Sequence, residues 1–150
     1  MSVAPDSSRP RTLLGFDFGL RRIGIAVGQE LTGTAKALVT LPARNGVPDW
    51  DALAALILEW QPDAFVVGLP LNMDGTEHAL TEAARRFGNR LGERYNLPVH
   101  WCDERLSSVA AAEQVAASAL STRKKRQKAA IDKVAAQLIL HSWLEQQRNH

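Results

Sequence analysis

The sequence predicts an α/β fold in which one mixed sheet of five strands carries helices on both faces. Three strand-like runs joined by short turns fill residues 12–43, which is typical of an antiparallel meander. After residue 48, helical and strand-like segments alternate, as they do where helices connect parallel strands. The predicted order of elements is therefore β-β-β-α-β-α-β-α-α.

Turn residues and apolar spacing define the individual elements. The opening strands are the runs TLLGFDF, IGIAVGQ and TAKALVTLPA. Residues 48–60 change to helical spacing, with apolar residues at i, i+3, i+4 and i+7. The continuous apolar run at 63–70 indicates a strand buried on both faces. The remaining predicted elements are a charged helix at 77–95, a strand at 97–102, an alanine-rich helix from residue 107 or 108, and a last helix at about 129–147.

Length and composition are those of one globular domain. We expect a single domain over 12–150 and a disordered tail over 1–11, where Pro, Ser and Asp predominate and no apolar signal segment is found. The one cysteine, Cys102, excludes a disulfide framework within the chain and favours a reducing, cytoplasmic location. A net charge of +2 does not by itself indicate nucleic acid as a partner.

Asp17 is an acidic residue inside the first apolar run. Strands disfavour aspartate, and burial of an unpaired carboxylate is costly. A bound divalent cation such as Mg²⁺ would explain the position, because Mg²⁺ prefers carboxylate and phosphate oxygens. The alternative is an exposed aspartate that forms a turn with Gly19.

Two polar loops follow the later strands, at the edge where sites of such sheets gather. The loop GLPLNMDGT (68–76) contains Asn72 and can present backbone N–H groups to a phosphate, or simply join strand to helix with Thr76 as a cap. The segment DERLSS (103–108) begins with two acids, of which only one faces the site if the backbone stays extended. Arg105 can hold a phosphate with two hydrogen bonds, or the segment is a solvated charged turn.

Asp132 borders the apolar stripe of the last helix, because residues 132, 135, 136 and 139 share one face. The alternative is an exposed first-turn aspartate that interacts with the helix dipole. The preceding run RKKRQK (123–128) is predicted as a basic connector, either solvated or in contact with a polyanion. The candidate nucleic-acid contacts are Arg21, Arg22, Asn72, Arg105, Arg123, Lys124, Lys125 and Arg126.

Four segments together resemble the motifs of one family. GFDFGLRRIGIA, VVGLPLNMDGT, DERLSS and IDKVAAQLIL are similar to the motifs of the YqgF/RuvX family, in the same order and over nearly all of residues 12–145. The resemblance implies a ribonuclease H-like fold related to that of RuvC, which agrees with the element order above. It also implies a nuclease that hydrolyses phosphodiester bonds, either at the 5′ end of precursor 16S ribosomal RNA or in branched DNA such as a Holliday junction.

The same resemblance implies the catalytic residues. Asp17, Glu104 and Asp132 match the family's acids and would hold one or two Mg²⁺ or Mn²⁺ ions, which activate water and stabilise the leaving oxygen. Related nucleases carry an acid near the end of the fourth strand, where this chain has Gly-Leu-Pro. The second ligand is therefore assigned to Glu104, with Asp103 as its substitute.

Two other functions remain open at this stage. A non-catalytic nucleic-acid-binding assembly factor would keep the fold without a working metal site. An actin-like ATPase or sugar kinase also has an Asp-x-Gly turn, but it needs two such domains, for which 150 residues leave no room. We expect nucleic acid as the partner, no membrane, and a monomer or weak homodimer.

Overall fold

The computed structural model describes residues 9–106 and 125–148. The strands are β1 (Thr12–Asp17), β2 (Arg22–Gln29), β3 (Thr34–Arg44), β4 (Val47–Pro48), β5 (Ala64–Leu69) and β6 (Val99–Asp103). The α-helices within these ranges are α1 (Trp50–Trp60), α2 (Ala79–Tyr95) and α3 (Lys125–Arg148). One turn of 3₁₀ helix at Glu104–Leu106 follows β6 directly.

The strands form one mixed sheet in the order β4-β3-β2-β1-β5-β6. The antiparallel pairs β1–β2 and β2–β3 confirm the predicted meander, and β5 lies parallel to both β1 and β6. The sheet has six strands instead of the five predicted, because the chain turns at Asn45 and Gly46 and pairs two residues back onto the end of β3. An Asn-Gly dipeptide is a strong hairpin signal, so the sequence did contain the missing information.

Helices cover both faces of this sheet, as predicted. Leu14 and Phe16 of β1 lie in a core closed by α1 and α2, whereas Leu13 lies in a second core under α3. This alternation is the period of a β-strand. All six residues of β5 are buried, which confirms the prediction of a strand covered on both sides.

Helix α1 begins at Trp50, two residues after the start of the predicted segment, and α3 extends further toward the N-terminus than predicted. Asp49 caps α1 by accepting hydrogen bonds from the backbone N–H groups of Asp51 and Ala52. The last helix already includes Lys125, where the described residues resume, so Lys125 and Arg126 are helical and not part of a connector. Lys, Arg, Gln and Ala all favour helix, and here propensity outweighs the repulsion between like charges. Arg123, Lys124 and the predicted alanine-rich helix lie outside the described residues.

Helix α3 packs unusually close to the sheet. Its predicted apolar face is confirmed, since Ala135, Ala136 and Ile139 are buried against the strands. Leu140 fits over Gly15 and Gly28, whose missing side chains leave room for it. This close packing also fixes the distance between the strands and the remaining residues of α3, including Asp132.

Defined contacts precede the first strand in the described part of the chain. Arg11, assigned above to a disordered tail, accepts a hydrogen bond from the backbone N–H of Glu30 at its carbonyl oxygen. Its own backbone N–H and its guanidinium both donate to the Glu30 carboxylate. The domain boundaries otherwise stay a prediction. None of the helices in the described ranges has the length and apolar character needed to cross a membrane.

Candidate active site

A cleft of about 490 Å³ opens where β1, β5 and β6 end at one edge of the sheet. Sites of open α/β sheets lie at this edge, outside the carboxyl ends of parallel strands. The cleft brings together side chains from the strand ends, the β1–β2 loop, α2 and α3. Its lining residues are Asp17, Phe18, Gly19, Leu20, Arg21, Arg22, Pro70, Leu80, Glu104 and Asp132.

Asp17 is the last residue of β1 and is only 9% exposed. Alternation along the strand places it on the same face as Leu13, which is the face covered by α3. The alternative of an exposed turn aspartate is therefore wrong. A rigid central strand holds this carboxylate at the floor of the cleft.

Asp132 reaches the cleft because α3 passes directly over Gly24. Gly24 is the cross-strand partner of Asp17, and a Cβ atom on it would overlap the backbone carbonyl oxygen of Asp132. The Asp132 carboxylate accepts a hydrogen bond of 2.8 Å from the Arg22 guanidinium, which lines the same cleft. Asp132 stands seven residues after the start of α3, so the alternative of a first-turn residue is wrong as well.

Glu104 reaches the cleft from the opposite side, over Gly68 of β5. Phe16 and Val67 are partners in the parallel pair, so Asp17 and Gly68 are the next residues of the two strands. A Cβ atom on Gly68 would lie 2.8 Å from the Glu104 carboxylate oxygen Oε1. Asp17 therefore stands between two glycines, one covered by the helix at Asp132 and the other by the side chain of Glu104.

Asp103 does not line the cleft, whereas Glu104 does. The predicted divergence assumed an extended backbone, but Glu104 begins the 3₁₀ turn, so strand alternation is not its cause. The Asp103 carboxylate accepts hydrogen bonds from the backbone N–H of Arg105 and from the Arg105 guanidinium. These bonds hold the pKa of Asp103 below its usual range. Arg105 also donates to the carbonyl oxygen of Met73, so it braces the end of β6 against the 68–76 loop.

Three backbone N–H groups of the 68–76 loop form hydrogen bonds within the loop itself. Those of Asn72, Gly75 and Thr76 donate to the carbonyl oxygens of Thr76 and Asn72 and to the Asp74 carboxylate, respectively. The Asn72 side-chain amide donates to the Thr76 hydroxyl. The alternative of Thr76 as a helix cap is wrong, because His78 occupies the N-cap position of α2. Neither Asn72 nor Arg105 is among the residues that line the cleft.

A buried hydroxyl fixes this loop to the helix that follows it. Thr81 of α2 is fully buried and donates its hydroxyl hydrogen to the carbonyl oxygen of Pro70. Pro70 and Leu80 form the apolar wall of the cleft next to this bond. Nothing in the sequence marks Pro70 or Leu80 as part of a site, since neither side chain carries a polar group.

The donor chemistry of the cleft fits a hard divalent cation. Asp17, Glu104 and Asp132 offer only carboxylate oxygens, and no thiol or imidazole lines the cleft. Over residues 9–106 and 125–148, no three His, Cys, Asp or Glu side chains are grouped closely enough to enclose an ion by themselves. Mg²⁺ needs only one or two protein carboxylates, because waters and substrate phosphates complete its octahedral shell.

Cys102 lies behind the site and is only 1% exposed. Burial, and secondarily the charges of Glu104 and Asp103, raise the pKa of its thiol to about 11. Since the thiolate is the reactive form, we expect native protein at pH 8 to react with a thiol reagent at least about 100-fold more slowly than protein unfolded in guanidinium. A chromogenic disulfide assay measures both rates, and equal rates would show that β6 and α3 do not shield the sulfur.

The sequence matches a known family over almost its full length. A family model described as RuvX, Holliday junction resolvase, matches residues 11–146. The chain belongs to the RuvX family. The resemblance found from the four motifs is thereby confirmed.

Individual RuvX-type relatives match the chain from end to end. One from Nitrosococcus oceani is 53% identical over 145 residues, which is 97% of this chain and 93% of the relative. Another from Pseudomonas paraeruginosa is 52% identical and covers 93% of this chain and 95% of its own length. Both carry the name "Putative pre-16S rRNA nuclease".

A solved structure confirms the fold prediction. Thermus thermophilus RuvC, determined in complex with a Holliday junction substrate, superposes with a TM-score of 0.54. The match covers 91% of this chain and 95% of RuvC, at 15% sequence identity. At that identity the comparison supports the RuvC-like, ribonuclease H-like architecture of this RuvX chain and not its substrate.

Proposed function

We propose that this RuvX-family chain is a metal-dependent nuclease that hydrolyses phosphodiester bonds, with Asp17, Glu104 and Asp132 as its catalytic and metal-binding residues. One observation carries the proposal. Carboxylates from three distant parts of the chain line a single cleft at the strand ends, next to the guanidinium of Arg22. Carboxylates grouped around an open cleft repel one another and attract cations, an arrangement that core packing does not require.

The cation in this proposal is Mg²⁺ or Mn²⁺. When bound, it supplies Lewis-acid stabilisation of the phosphate charge and lowers the pKa of a water molecule. Asp17 contributes a carboxylate whose position is fixed by the strand, and Glu104 and Asp132 contribute theirs from flanking segments. Glu104 is preferred to Asp103 because Glu104 lines the cleft and Asp103 does not.

Positive side chains around the cleft would bind the substrate phosphates. Arg21 and Arg22 line the cleft, so they are the primary candidates. Arg22 already neutralises part of the charge on Asp132, and its remaining N–H donors suit a phosphate oxygen. Arg105 and Asn72 would contact substrate phosphates farther from the cleft. Both already form hydrogen bonds that hold the 68–76 loop. The basic segment, Arg123, Lys124, Lys125 and Arg126, completes the proposed set.

The substrate that we propose is the 5′ end of precursor 16S ribosomal RNA, in the bacterial cytoplasm. The names of the full-length relatives support it. The description of the family model favours a second candidate, resolution of a Holliday junction. A four-way junction requires two cuts, so a stable dimer would favour DNA, whereas we propose a monomer or weak homodimer.

A cleavage assay with three substrates tests this proposal. Purified protein is incubated with a precursor 16S fragment, an unstructured RNA and a four-way DNA junction, each with Mn²⁺, with Mg²⁺ and with EDTA. We expect cleavage of the precursor that requires the metal. Cleavage of the junction alone would assign the second function, and binding of RNA without any cleavage would favour an assembly factor.

A further inference from the structure

The β3–β4 hairpin forms part of the rim of the cleft. The backbone N–H of Gly46 donates to the carbonyl oxygen of Leu20 at 2.9 Å, and that of Ala43 donates to Arg21 at 2.7 Å. Leu20 and Arg21 belong to the loop that lines the cleft. Two backbone hydrogen bonds therefore hold the hairpin against the loop that follows Asp17.

The hairpin is a rigid support. Asn45 and Gly46 have φ angles of 52° and 80°, which are the left-handed values of a tight two-residue turn between Arg44 and Val47. A Cβ atom on Gly46 would lie 2.8 Å from the ring of Phe18, the residue next to Asp17. The turn thus packs against Phe18, one of the residues that line the cleft.

Four exposed side chains from this region make up what we call the hairpin rim: Leu20, Arg21, Arg44 and Val47. Leu20 is 49% exposed and Val47 is 40% exposed, although both are next to the hydrogen bonds that join the hairpin to the loop. Arg44 and Val47 are cross-strand partners and so lie on the same face of the hairpin. The ion pairs found in the described parts of the chain do not include Arg21 or Arg44.

Strand alternation gives the direction of this rim. Leu41 and Ala43 pack into the core on the α1 and α2 side. Arg44 therefore lies on the other face, which is the face of Asp17 and Asp132. The hairpin rim therefore lies on the same face of the sheet as the acidic residues of the cleft.

From these contacts we propose that the hairpin rim binds an unpaired nucleic-acid strand beside the bond that is cut, an inference that rests on the proposed function. Arg21 and Arg44 bind two of its phosphates, and Leu20 and Val47 contact the faces of its bases or sugars. A duplex hides its base faces inside the stack, so exposed aliphatic side chains next to arginines favour a single strand. The partner is accordingly a single-stranded segment, and duplex binding is the contrary outcome.

Arg44→Gln tests the electrostatic half of this inference. Fluorescence anisotropy gives the Kd for a labelled 15-nucleotide strand and for its duplex at several salt concentrations, in Ca²⁺ and again in EDTA. The matched control is Lys36→Gln, which removes the same charge from the far end of β3, about 25 Å away at about 3.3 Å per residue. We expect Arg44→Gln to weaken single-strand binding by about 3- to 10-fold and to lower the salt slope by about 0.7, while Lys36→Gln does neither.

Two further variants complete the test. Arg44→Lys keeps the charge and is expected to restore most of the affinity, which separates charge loss from a folding defect. Leu20→Ser is expected to weaken binding of the strand and not of the duplex. The inference is overturned if Arg44→Gln binds like Lys36→Gln, if duplex binds as tightly as strand, or if the wild type binds no strand. The cleavage assay above decides the proposed function separately, since a wild type that cuts while Arg44→Gln matches its control contradicts only the rim.

Discussion

Asp17→Asn is expected to lower metal-dependent cleavage by about 10³-fold or more while the domain remains folded. Asparagine has nearly the shape of aspartate, so the packing of β1 against α3 is retained. It lacks the negative charge, and a neutral amide is a poor ligand for a hard cation. The measurements are the cleavage rate at saturating Mn²⁺ and the thermal melting curve.

The matched control for this variant is Asp51→Asn. Asp51 is exposed in the first turn of α1, on the side of the sheet opposite α3. It is expected to cut at the wild-type rate, which excludes a contaminating nuclease as the source of activity. A wild-type rate in Asp17→Asn would remove Asp17 from the site, and with it the reason for an acid at the end of a buried strand.

The parts of the fold that could be predicted are those whose signal is local. The buried strand β5 is a continuous apolar run, and α1 shows helical spacing behind an aspartate cap, so both were predicted almost to the residue. The hairpin at Asn45 and Gly46 was missed although its dipeptide is a local signal. The start of α3 was predicted too late because the charge of Lys125 and its neighbours was given more weight than their helix propensity.

The sequence predicted which acidic residues line the candidate cleft, but not which side chains they contact. Motif resemblance named Asp17, Glu104 and Asp132, whereas the argument from strand alternation for Asp103 and Glu104 did not anticipate that Glu104 begins a 3₁₀ turn. Nothing in the sequence indicates that Arg22 pairs with Asp132, 110 positions away. Pairing at that separation depends on how α3 lies on the sheet, which is a property of the packed structure and not of any segment.

Two glycines shape the candidate site, although motif matching does not identify them. Gly24 flanks Asp17 on one side and Gly68 flanks it on the other, and each gives the space that another acidic residue occupies. Their isolated positions in strand-like runs are the available sequence signal, because a glycine inside a strand often marks a close approach of backbone. The geometry of the cleft thus depends on residues without functional groups.

Gly24→Ala is accordingly expected to destabilise the domain by about 3 kcal/mol, lowering Tm by about 6–12 °C, and to abolish cleavage. The added methyl group overlaps the carbonyl oxygen of Asp132, so α3 must lift and carry that carboxylate away from Asp17. Gly28→Ala is the matched control on the same strand and face. Its methyl group meets the tip of Leu140 at 2.7 Å, and a side-chain tip yields more easily than backbone. Thermal melts and cleavage rates are measured for both variants. If Gly24→Ala melts and cuts like Gly28→Ala, α3 does not rest on the sheet at Asp132, and the third carboxylate has no fixed place in the cleft.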